Sequence, residues 1–281
     1  MELRILGPLQ VLRDDGELIE VISPKRQALL ALLALNLNAV LSMDRIIDEL
    51  WGDSPPGDGP RNVRVHISRL RDLLDPERRR GESGEVIATK PSGYVLQIDP
   101  EAVDAHRFSR LVAEARAALV AHPEEAAARA REALQLWRDR PLTGLEFEEF
   151  AQAELRRLEE LHLAAKAVIL EAAIRTGDAV GAIPDLERLA LEQPLREHVV
   201  ALLMEALTEA GRRSDALRAY RDLEVRLAQE LGLGPSKELR ALEERILLLD
   251  TASPSVAKTD HADNRGLPSR VTSFVGMESE L

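Results

Sequence analysis

The chain has no cysteine among its 281 residues, which leaves no disulfides and no thiolate metal sites, so the fold stands on packing alone. Aromatic residues are scarce at 3%, while alanine, leucine, arginine and glutamate are abundant, a balance that favours helix over sheet. Long apolar runs are missing too. The longest uncharged stretch, Gln27–Met43, contains Asn36 and Asn38 and is too short to cross a bilayer. The opening Met-Glu-Leu-Arg holds no apolar signal region. These absences give no indication of a membrane role, and the lack of cysteine fits a reducing cytoplasm. Catalytic signatures are equally lacking. The six histidines, His66, His106, His122, His162, His198 and His261, show no metal-ligand spacing, and no G-x-S-x-G, H-E-x-x-H or glycine-rich dinucleotide loop occurs. The pairs Glu148-Glu149 and Glu159-Glu160 read as solvated helix faces. No active site, metal or cofactor is expected in this chain.

Positive charge is in deficit overall, with 37 basic against 49 acidic residues and a net of −12, which argues against a general polyanion binder. The deficit is uneven. Residues 99–250 hold 21 basic and 30 acidic residues, whereas residues 60–80 hold 7 basic and 3 acidic. Within that basic window Val63, Ile67, Leu70 and Leu74 fall at i, i+4, i+7 and i+11, the stripe of an amphipathic helix over Pro60–Leu74. At about 100° per residue, Arg61, Val65, Ser68, Arg69 and Asp72 point away from that stripe, with Asn62, Arg64, His66 and Arg71 on its flanks. A helix pinned by one side and bearing arginines on the other fits the major groove, where arginine bonds guanine O6 and N7 bidentately.

Around this helix the predicted order is strands at Glu2–Leu6, Leu9–Arg13 and Leu18–Ile22, then a buried helix over Lys25–Leu37 with Ser23 as N-cap. A Ser42-capped helix, Met43–Trp51, comes next. After the basic helix a loop, Arg78–Gly84, leads to a hairpin of Val86–Thr89 and Tyr94–Ile98 with Lys90 at its turn. In the last strand Tyr94, Leu96 and Ile98 are expected inside, and Val95 and Gln97 outside. Trp51 and Trp137 read as core anchors, and Tyr94 as packed against the basic helix. From residue 99 strands vanish. Helices are predicted at Ala105–Ala121, Glu124–Arg138, Glu148–Thr176, Ala179–Glu192, His198–Ala210, Ser214–Leu231 and Lys237–Leu249. An offset of 34 pairs Ile169 with Leu203, Gly177 with Gly211, Ala182 with Ala216 and Leu186 with Tyr220, the tetratricopeptide (TPR) period. The fold class is therefore mainly α: a winged helix-turn-helix (α+β) over 1–98, then an all-α TPR-like domain over 99–250.

Residues 1–98 resemble the DNA-binding domain of OmpR/PhoB-type regulators, through the leading strands, Leu50-Trp51, the run VHISRLRDLL and Gly93-Tyr94, with no receiver domain in front. Residues 99–250 resemble the bacterial transcriptional activation domain. That likeness rests on Asp104-Ala-His-Arg-Phe108, Trp137-Arg-Asp-Arg-Pro-Leu142, Glu154-Leu-Arg-Arg-Leu-Glu159, Pro194-Leu-Arg-Glu197, Gly211-Arg212 with Asp215-Ala-Leu217, and Glu230-Leu-Gly232. Together they are similar to the SARP family, the Streptomyces antibiotic regulatory proteins. Residues 251–266 read as a polar linker, and Leu267–Gly276 resembles the start of the NTPase domain of large SARP regulators, cut before any phosphate loop. ATP would belong to that further domain.

The resemblance implies base contacts from Asn62, Arg64, Val65 and Arg69, phosphate contacts from Arg61, His66 and Arg71, Lys90 near the minor groove, and Ser68 in a position where some relatives are basic. It implies a homodimer on direct-repeat promoter DNA, contact with RNA polymerase holoenzyme including its sigma factor, and control of secondary-metabolite genes. Two other readings stand beside it: a TPR-type scaffold or ligand sensor, and the output module of a larger NTPase regulator.

Overall fold

The computed structural model describes residues 1–76 and 86–251, side chains through Leu249. The Arg78–Gly84 loop, the linker beyond Thr251, His261 and Leu267–Gly276 lie outside the described residues.

Short alternating runs build the N-terminal meander. Strands β1 (Glu2–Arg4), β2 (Gln10–Leu12) and β3 (Leu18–Ile19) pair antiparallel in that order, with Leu3 opposite Val11 and Val11 opposite Ile19, all three buried. Helix α1 (Pro24–Leu35) buries every residue from Ala28 to Ala34, as its apolar circumference requires. Ser23 holds the N-cap position, but its side chain makes no cap bond; its carbonyl accepts from the amides of Arg26 and Gln27 instead. Helix α2 (Met43–Trp51) is capped as expected, the Ser42 hydroxyl accepting from the Arg45 amide at 3.2 Å. Helix α3 spans Gly59–Leu74.

The hairpin of β5 (Ile87–Lys90) and β6 (Gly93–Leu96) gains an edge that local pattern does not announce. Strand β4 (Leu41–Ser42), two residues long, pairs with β6, giving the order β4-β6-β5. The expected alternation in the last strand therefore fails. Tyr94, Val95 and Leu96 are all buried, because β6 is a central strand rather than half of a free hairpin. Gly93 is obligatory here: a Cβ on it would lie 1.8 Å from the Leu41 carbonyl oxygen.

The rest is helical: α4 (Asp104–Ala118), α5 (Pro123–Gln135), α6 (Gln152–Arg175), α7 (Ala179–Glu192), α8 (Glu197–Glu209), α9 (Arg213–Leu231) and α10 (Lys237–Thr251). The 34-residue period extends to the helix ends. Gly177 (φ +90°) and Gly211 (φ +75°) close α6 and α8 in left-handed conformations. The bonds Asp178 N–H to Ala173 O and Arg212 N–H to Leu207 O, each 2.8 Å, recur at that offset. Several expected helix ends differ, α1 stopping at Leu35 rather than Leu37 and α4 at Ala118 rather than Ala121. Helix α5 stops at Gln135, short of Arg138, and a 3-10 turn at Glu149–Ala151 precedes α6. Trp137-Arg138 leaves helical geometry because its backbone serves the N-terminal segment, the Arg138 amide donating to Leu6 O at 2.9 Å.

That segment is where the two halves meet. The buried Asp104 carboxylate accepts from the Ile5 amide at 2.7 Å and the Leu6 amide at 3.0 Å, and the Leu142 amide donates to Ile5 O at 2.9 Å. Burial raises the Asp104 pKa, against the lowering effect of those two amides and of Arg138. The Arg138 guanidinium donates to Gln10 Oε1 at 2.7 Å and to Pro8 O at 3.2 Å. One continuous apolar core runs from Leu3 through the winged helix into α4, α5 and α6 as far as Ala172, and a second from Ala167 to Ile246.

Candidate nucleic-acid interface

Helix α3 begins where its sequence lets it. Asp58 caps it, accepting from the Arg61 amide at 3.0 Å, and Pro60 sits in the first turn. Asp58 ahead of Gly59-Pro60 was a readable cap signal that the expected start at Pro60 passes over. Gly59 lets α3 approach α2 closely, since a Cβ there would come 3.1 Å from Ile47 Cδ1. Gly59, Val63, Ile67, Leu70 and Leu74 form the buried stripe.

On the opposite side Arg61, Arg64, Val65, Ser68, Arg69 and Asp72 are exposed, Val65 by 50%. Among the described residues no carboxylate lies within ion-pair distance of the Arg61, Arg64 or Arg69 guanidinium. Elsewhere several arginines are neutralised: Arg110, Arg157, Arg175, Arg188 and Arg212 are each paired with Glu or Asp at 2.6–2.8 Å. Three unpaired guanidinium groups on one solvated face form a cationic surface the width of a helix.

The flanking residues are placed otherwise. Asn62 is half-buried and its Nδ2 donates to Asp58 O at 3.0 Å, closing the first turn. His66 is half-buried and stacks on Trp51, ring centres 6.3 Å apart at 29°. Burial first, then Arg26 and Lys25, lower its pKa, so it faces outward as a neutral ring near pH 7. Lys25 Nζ donates to Leu50 O at 2.5 Å and lies 5.9 Å from the Trp51 indole centre. Lys25, Trp51 and His66 thus fasten α1, α2 and α3 together.

Arg71 is half-buried at the C-terminal end of α3. Its Nε donates to Ile87 O and an Nη to Thr89 Oγ1, both at 2.8 Å, with the guanidinium carbon 5.8 Å from the Tyr94 ring centre. Lys90 is exposed at the hairpin tip, paired in register with Gly93. The structure therefore gathers Arg61, Arg64, Val65, Ser68 and Arg69 on one open face, with Lys90 exposed at the tip of the wing that Arg71 fastens to α3. Asn62, His66 and Arg71 lie half-buried on the flanks of that face, and each also makes a contact within the protein. Among the described residues no cluster of three His, Cys, Asp or Glu side chains suits a metal ion, and no helix is long and apolar enough to cross a membrane.

Known proteins share this arrangement. The family model "Bacterial transcriptional activator domain" matches residues 103–247, and "Transcriptional regulatory protein, C terminal" matches residues 17–96. Regulatory protein DnrI of Streptomyces peucetius is 34% identical over 254 residues, covering 89% of this chain and 93% of DnrI. Regulatory protein AfsR of Streptomyces coelicolor is 36% identical over 283 residues, which is 97% of this chain and 27% of AfsR. The solved structure of Mycobacterium tuberculosis EmbR in complex with a low affinity phosphopeptide superposes with a TM-score of 0.81 at 35% identity, covering 88% of this chain and 65% of that one.

Proposed function

The chain belongs to the SARP family of DNA-binding transcriptional activators, and on that premise we propose that α3 lies in the major groove of promoter DNA, with the wing against the neighbouring minor groove. Arg64, Val65 and Arg69 read base edges. Arg61 contacts phosphate, with Ser68 a weak contributor. Asn62 and His66 meet the backbone from the flanks of α3, His66 as an uncharged N–H donor. The carrying observation is the trio Arg61, Arg64 and Arg69, exposed and without an ion pair among the described residues. A chain with a net charge of −12 gains sequence-independent attraction to DNA only from such a local focus. The same contrast suits a small, specific footprint.

In this reading the protein works by binding, in the cytoplasm, as a homodimer on direct repeats. The helical half, with its net negative charge, meets basic elements of RNA polymerase or its sigma factor, and the regulated genes serve secondary metabolism. The test is footprinting on the region upstream of the protein's own gene. Arg61→Ala combined with Arg69→Ala abolishes the specific footprint while leaving circular dichroism and melting unchanged, since each good bidentate arginine is worth roughly 1–3 kcal/mol of discrimination. An intact footprint from that double variant would refute the placement of α3.

A further inference from the structure

Arg71 sits on the basic helix and, by family likeness, falls among the phosphate contacts. Its surroundings say otherwise. Two of its donors are spent within the protein, one on a backbone carbonyl of β5 (Ile87) and one on a β5 hydroxyl (Thr89), each at 2.8 Å, while Tyr94 of β6 lies under its plane. These three partners belong to the two strands of the wing. The sheet of the wing is completed at its far edge by the two-residue β4.

We propose that Arg71 is a positioning residue: a two-point strut that fixes the wing relative to α3, and so sets where Lys90 meets DNA when α3 occupies the groove. The chemistry fits arginine specifically. A planar guanidinium holds Nε and Nη donors in a fixed fork, so one side chain fixes both the distance and the angle of β5. Lysine carries the same charge but presents a single point. A phosphate ligand needs the charge; a strut needs the fork. The proposal rests on the placement of α3 proposed above.

The experiment uses the full chain and a DNA duplex that it selects from a randomised pool. Hydroxyl-radical footprints and the salt dependence of affinity are recorded for wild type, Arg71→Lys, Lys90→Ala and the Arg71→Lys/Lys90→Ala double variant. Arg71→Lys is expected to lose the wing-side protection, keep the major-groove protection, and lose about tenfold in affinity. The slope of log K against log salt should fall by about one for Arg71→Lys, as for Lys90→Ala, because one phosphate contact goes in each case. The double variant should be no weaker than either single one. Wild-type behaviour of Arg71→Lys, losses that multiply in the double variant, or a Lys90→Ala variant without effect would each overturn the strut. Thr89→Val provides a milder cut of the same link. It should weaken the wing-side protection, with no further loss in the Arg71→Lys background, and an unchanged footprint for it also overturns the proposal. Full binding by Arg61→Ala/Arg69→Ala would instead unseat α3 from the groove, a distinguishable failure.

Discussion

His162 occupies a place where protonation is disfavoured. Its ring is 4.2 Å from Trp137, which in turn stands 5.3 Å from Phe108, and its Nδ1 is buried without a hydrogen-bond partner. Burial, with a smaller contribution from Lys166, pushes its pKa down from 6.5 to about 4. Between those two pH values the unfolded chain binds more protons than the folded one, so stability is full above pH 6.5 and falls as pH drops toward 4. Thermal melts should show a lower Tm at about pH 4.5 than at pH 7, and His162→Phe, which keeps the stack and removes the titration, should flatten that slope. Asp104, with its raised pKa, acts in the opposite sense at the acid end, so the comparison between variant and wild type isolates His162. A slope unchanged in His162→Phe would assign the acid sensitivity elsewhere. Single residues were legible in the sequence where one stripe decided them. Arg61 and Arg69 were placed outside by their angle to Val63 and Ile67 alone, whereas Arg64, expected on a flank, is exposed as well. The partners of His66 and Arg71 were not legible, because Trp51 and the β5 strand come from elements whose approach the helix itself does not encode.

Elements are held by glycines of two kinds. Gly177 and Gly211 are needed only for their positive φ, since a Cβ on either meets nothing within 4 Å. Gly177→Ala and Gly211→Ala should each cost about 1 kcal/mol in urea unfolding, and the two costs should match, since the same cap recurs 34 residues apart. Gly93 is needed for space. Its missing Cβ is filled by the Leu41 carbonyl, so Gly93→Ala must separate β4 from β6 and should cost roughly 2–4 kcal/mol, with weakened DNA binding through the displaced wing. A Gly93→Ala chain as stable as the two cap variants would mean that the sheet yields easily. Helices were the legible elements, because a 3.6-residue stripe repeats over many residues. The two-residue β4 and the 3-10 turn before α6 were not, being too short to carry a period and defined by partners about 50 residues away or by the path of the chain.

Across the whole molecule, the change of secondary structure at residue 98 and the change of packing do not coincide. The first apolar core crosses that point without a break, and the exchange between cores happens inside α6. Asp104 is the polar centre of the crossing. Asp104→Ala leaves the Ile5 and Leu6 amides buried and unpaired, and should cost about 3 kcal/mol. In native-state hydrogen exchange the variant should lower protection in β1, β2 and α4 together, leaving α8 and α9 as in wild type. Loss confined to β1 and β2, or spread equally to α9, would contradict the shared core. Periodicity and local chemistry along the chain were enough to set which stretches coil, which face of α3 carries free arginines, the 34-residue repeat and, through its motifs, the family. Packing in three dimensions had to supply the service of Asp104 and Arg138 to the N-terminal segment, the burial of Val95 and the binding of Arg71 to the wing. Those outcomes depend on backbone groups left over at the ends of elements, and such groups find their partners only when distant parts of the chain come together.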